Sequence, residues 1–118
     1  MITGGVTEEG EPVVLLPVAA QTWPAVIDTG FNGDLELPEA LRELVDARYV
    51  TQTEWLLAGG QRITEDSYRV KFPFDGQSVV AEATFVPDGN ILLGTHLLRH
   101  HRLTIDFVAK TLLLERLV

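Results

Sequence analysis

Turn signals recur about every ten residues along this chain and cut it into apolar runs that suit strands better than helices. The clearest breaks are Thr7 to Pro12, Ala58-Gly59-Gly60-Gln61, Asp75-Gly76 and Pro87-Asp88-Gly89-Asn90. Between them the sequence predicts a short first strand, a second from about Val13 to Ala19, and a turn at Gln21-Thr22. A third apolar run, Trp23-Pro24-Ala25-Val26-Ile27, stops abruptly at Asp28-Thr29-Gly30. Tyr49 to Leu57 and Ile63 to Phe72 read as a long exposed hairpin, Ser78 to Val86 as a further strand. Leu103 to Val108 and Thr111 to Leu117 read as a closing pair joined through Ala109-Lys110. Helix is the minority. Pro38 suits a helix start, with Leu41, Leu44 and Val45 at helical spacing, and Leu97 and Leu98 suggest a second short helix after Gly94. The pattern is all-β, a sandwich or barrel, and 118 residues without a linker or repeat fit one domain over 1–118.

Charge narrows the function. Nine Lys and Arg against seventeen Asp and Glu give a net charge of -8, which argues against nucleic acid and against an anionic membrane surface as partners. With no cysteine, disulfides, thiol catalysis and thiolate metal sites are excluded. The opening Met1-Ile2-Thr3-Gly4-Gly5 leads into Glu8, Glu9 and Glu11 rather than into a basic start and apolar run, so the expected location is cytoplasmic. The apolar stretch Val13 to Ala20 falls well short of the roughly 20 residues a membrane span needs.

Chemistry gathers at Val26-Ile27-Asp28-Thr29-Gly30, an acid, a hydroxyl residue and a glycine set directly after a buried strand. Such a strand leaves a carboxylate at the surface of a dry core, and the glycine permits a tight turn and close approach of a neighbouring chain. Two such carboxylates in contact cannot both ionise. They share one proton, so that the pair can activate water and protonate a peptide group. Alone, an Asp-Thr-Gly tripeptide is weak, expected by chance in roughly 2% of chains this long.

Further features follow in order: the glycine-bearing tip Leu57-Ala58-Gly59-Gly60, then Ile91-Leu92-Leu93-Gly94, Leu97-Leu98 and Leu103-Thr104-Ile105-Asp106-Phe107. Taken with Asp28-Thr29-Gly30, this series resembles the single-motif, retroviral-type aspartic peptidases over nearly the whole chain. Phe31-Asn32-Gly33, where viral members carry Ala or Ser first, is closer to a bacterial branch. The resemblance implies a closed, mostly antiparallel acid-protease barrel. It implies Asp28 as catalytic residue, with Thr29, Gly30 and Phe31 in the active-site loop and Thr29 gripping a partner's loop. Leu57 to Gly60 would be the flap over substrate, and Ile91, Leu92, Leu93 and Gly94 would brace the loop from behind. No metal and no organic cofactor is implied.

The second acid must be found elsewhere. Asp34 is too near in the loop, Asp75 and Asp88 precede turn glycines, and Asp66 and Asp106 lack the hydroxyl-glycine sequel. Two copies related by a twofold axis would bring Asp28 to Asp28, so the sequence predicts an endopeptidase active as a homodimer on peptide or protein substrates. The competing expectation is a module that keeps the fold for dimerisation or peptide capture without cutting. His96, His100 and His101 invite a metal reading, but Arg99 and Arg102 among them disfavour a cation. Trp55, near the proposed flap, is a candidate cleft residue.

Overall fold

Alternation of buried and exposed residues builds the sheet. Val14, Leu16 and Val18 are buried while Leu15 between them is exposed, and Val70, Phe72 and Phe74 repeat the pattern. The computed structural model describes residues Met1 to Val118. Its strands are β1 (Ile2–Val6), β2 (Pro12–Val18), β3 (Gln21–Ile27), β4 (Leu35–Pro38), β5 (Arg48–Leu56), β6 (Arg62–Phe74) and β7 (Gln77–Val86), followed by β8 (Ile91–Leu93), β9 (His101–Asp106) and β10 (Thr111–Arg116). All ten join one sheet in the order β5-β6-β7-β4-β8-β3-β2-β1-β10-β9. Two parallel pairs, β3 with β8 and β4 with β7, interrupt an otherwise antiparallel arrangement. Nineteen buried residues form the core, with Phe72, Leu16, Leu35, Leu37 and Leu114 among its best-covered members.

Three expectations are corrected. The sheet is not closed into a barrel: β5 and β9 are its two free edges, because the β5–β6 hairpin projects outward with almost every β5 residue exposed. The turn expected at Gln21-Thr22 lies two residues earlier, at Ala19 and Ala20, which take φ of +50° and +66° between the paired ends Val18 and Gln21. Hairpin turns of this hand normally recruit Asn or Gly, so two alanines give no sequence cue.

The helices are also weaker than expected. Glu39–Leu44 is a 3-10 helix that seats Leu41 in the core and leaves Leu44 exposed. After Gly94 there is only a succession of turns, with bonds from Arg99 N to His96 O (3.3 Å) and His101 N to Leu98 O (2.9 Å). Six residues give too few bonds to offset the cost of helix nucleation. No helix is long and apolar enough to cross a membrane.

Candidate active site

Ala25, Val26 and Ile27 are buried, and β3 is flanked in parallel register by β8, with Ala25 opposite Ile91, Val26 opposite Leu92 and Ile27 opposite Leu93. The ladder runs into the loop, where Asp28 N donates to Leu93 O at 3.0 Å. The chain then turns on Asp28 itself. Its Oδ1 accepts from Gly30 N at 3.0 Å, and its carbonyl accepts from Phe31 N at 3.1 Å. Gly30 needs no left-handed backbone. A Cβ there would lie 3.3 Å from Asp28 Oδ1, crowding the carboxylate. Asp28 is half-buried, whereas Thr29 and Gly30 are exposed.

Behind this loop, three successive amides of the segment after β8 are used as clamps. Gly94 N donates to Asp34 O (2.9 Å), Thr95 N to Phe31 O (2.8 Å) and His96 N to Gly33 O (3.2 Å). Contact is close enough that a Cβ on Gly94 would sit 2.0 Å from Gly33 O and 2.9 Å from the Phe31 ring. Phe31 lies over Gly33 and Gly94, its ring 2.8 Å from where a Gly33 Cβ would be. The two glycines are thus the floor on which this bulky residue rests.

A pair not foreseen as part of the site completes the clamp. Asp34 is 9% exposed. Its Oδ2 accepts from Glu82 N on β7 at 3.0 Å, and its Oδ1 accepts from His96 Nδ1 at 2.6 Å. The partners stand 62 positions apart, so no local pattern could reveal them. The three histidines do not converge: His96 serves Asp34, whereas His101 is buried edge-on against Phe74 at 5.3 Å. The other acids also find local tasks. Asp75 and Gly76 turn the β6–β7 hairpin at φ of +52° and +77°, and Asp106 Oδ1 caps the β9–β10 turn through Val108 N and Ala109 N.

Over the Phe31 side of the loop lies a cleft of about 530 Å³, walled by Phe31, Asp34, Thr53, Trp55, Ser67 and Glu82 among others. Asp28 stands outside that cleft, beyond Phe31. The β5–β6 hairpin supplies the upper wall through Thr53, Trp55, Ser67 and Arg69. Its tip is closed by bonds from Leu57 N to Gln61 O (2.7 Å) and Gly60 N to Leu57 O (3.1 Å), with Gly59 and Gly60 at φ of +92° and +84°. Leu57, Ala58, Gly59 and Gly60 are all exposed there, as is Leu56. One further acid belongs to the region: Glu36 of β4 is half-buried, and its carboxyl is held above the usual carboxylate range by burial, then by Glu65 and Asp28.

No family model matches the chain. No curated protein sequence matches it either. Solved structures do. A retropepsin-like aspartic protease from Rickettsia conorii superposes with a TM-score of 0.65 at 17% identity, over 98% of this chain and 90% of that one. Simian foamy virus (mac) protease gives 0.57 at 24% identity, over 74% of this chain and 91% of its own. The inhibitor-complexed EIAV protease gives 0.58 at 19% identity, over 79% and 89%. The chain therefore has the fold of retropepsin-like aspartic proteases, and the likeness includes a bacterial one as well as viral ones.

Proposed function

We propose that the protein is an aspartic endopeptidase that works as a symmetric homodimer. The observation that carries this reading is Asp28, a half-buried acid at the end of a buried strand, held from behind by Leu93 and the Gly94 segment in a retropepsin-like fold. With one such acid per chain, the partner carboxylate comes from a second copy, whose Asp28 meets the first across the twofold axis. The pair shares a proton. One member takes a proton from water as the other donates to the carbonyl oxygen of the peptide bond, and the amine leaves with a proton. Thr29 and Gly30, exposed on the loop, face the second copy. The β5–β6 hairpin acts as a flap, its tip backbone bonding an extended substrate as an added strand.

A second reading has one observation in its favour. The cleft lies on the Phe31 side and excludes Asp28, as a peptide-binding module that does not cut would allow. A mixed peptide library assayed from acidic to neutral pH, beside Asp28→Asn, separates the two. Cleavage that falls roughly a hundred- to ten-thousandfold on substitution supports the enzyme. Peptide binding without cleavage in both proteins supports the module. Sedimentation showing only monomer at concentrations where cleavage persists would refute the shared dyad.

A further inference from the structure

Leu35 and Leu37 of β4 are buried in the core, so strand alternation turns Glu36 to the opposite face. Register fixes its company there. Leu92 of β8 lies to one side with Val26 of β3 beyond it, and Thr84 of β7 lies to the other. Asp28 follows Val26 by two residues and continues the same face. Thr84, Ser67 and Thr53 all line the cleft, and Glu65 is paired with Thr53 across the hairpin. Glu36 thus stands on the face between Asp28 and the stem of the hairpin.

None of the chain's ion pairs includes it. Of the two basic residues of the cleft wall, His96 is held by Asp34, and Arg69 stands opposite Glu82 in the β6–β7 register, on a strand separated from Glu36 by β7. A half-buried carboxylate with acids on two sides and no cation is an unfavourable arrangement in the empty protein. A basic group brought by a ligand relieves burial and repulsion together, whereas a neutral side chain relieves neither.

Resting on the peptidase reading above, we propose that Glu36, which neighbours the cleft residue Thr84 without itself lining the cleft, makes the enzyme selective for peptides with a lysine or arginine within about three residues of the cleaved bond. The spacing follows from the sheet. Glu36 is two strands from β3, about 10 Å, which an extended peptide covers in about three residues.

The test uses peptide pairs that differ only by lysine against acetyl-lysine, scanned over three positions on either side of the cleaved bond. Wild type is expected to prefer lysine at one position by at least roughly tenfold in kcat/KM. In Glu36→Gln that ratio falls to near one, and in Glu36→Asp a preference remains. Equal cleavage of both peptides by wild type, or a preference that survives Glu36→Gln, overturns the proposal. Should Glu36→Gln fail to fold, Glu36→Leu, which matches Val26 and Leu92 on the same face, replaces it.

If wild type cuts no peptide, the peptidase reading fails while the selectivity remains decidable. The labelled pairs are then titrated onto the protein by fluorescence anisotropy. Tighter binding of the lysine form that is lost in Glu36→Gln sustains the role of Glu36, and indifference to lysine ends it.

Discussion

The parallel pair β3 and β8, which leads into the Asp28 loop, and the hairpin of β5 and β6, which walls the cleft, are held by opposite means. At the parallel pair, Ala25, Ile27, Ile91 and Leu93 are each at most 3% exposed, and Gly94 packs so closely on Gly33 that no side chain fits. In the hairpin, β5 is almost wholly exposed, and the tip glycines have nothing within 4 Å of a would-be Cβ. Glycine is required at the first for space and at the second for backbone angle. Tight packing thus surrounds Asp28, whereas the hairpin depends on its own ladder and turn.

Substituting glycine in both places tests that contrast most directly. Gly94→Ala forces its Cβ onto Gly33 O and the Phe31 ring, and is expected to cost about 3 kcal/mol in urea unfolding. Gly59→Ala meets no atoms and only a left-handed φ of +92°, so about 1 kcal/mol is expected. Equal costs would show that the two regions are constrained alike. Between these values falls Asp34→Ala, which strands Glu82 N–H and frees the His96 side chain, at about 2 kcal/mol. Should Asp34→Ala be silent, the loop is held by the backbone clamps from Gly94 to His96 alone.

The smallest effect is a pH slope at the far end of the sheet. The His101 side chain is 3% exposed, neither ring nitrogen has a hydrogen-bond partner, and Asp75 Oδ2 lies 3.8 Å from Nε2. Burial holds this imidazole below its ordinary value of 6.5 despite Asp75. As pH falls through 6.5 the unfolded chain gains a proton that the folded chain does not, so stability present above that pH declines until the folded imidazole is also protonated. His101→Phe, packed on Phe74, is expected to flatten this part of the urea-midpoint profile. An unchanged slope would place the acid sensitivity elsewhere.

How much of this was legible in the sequence follows from the range of each interaction. The hairpin strands could be read because alternation and the Gly59-Gly60 tip are local, and their observed bounds lie within two residues of the expected ones. Asp28 and Gly94 stood out because few residue types suit an acid turn or a contact without a side chain. The Ala19-Ala20 turn was hidden since neither alanine advertises a positive φ. Barrel closure was overestimated because strand runs carry no information about which edges remain unpaired. Asp34 with His96, and the face occupied by Glu36, depend on register between distant strands, which appears only once the sheet is assembled.

The parallel pairing of β3 with β8 also has a consequence in time. Val26 and Leu92 are 66 positions apart (92 − 26), so the chain must close a long loop before the two strands can meet. The β5–β6 hairpin, whose strands adjoin, can form far sooner. On the ribosome, a nascent chain that has yet to release Gly94 carries Asp28 on an unsupported turn. The bond from Asp28 N to Leu93 O therefore cannot form until synthesis has gone beyond Gly94.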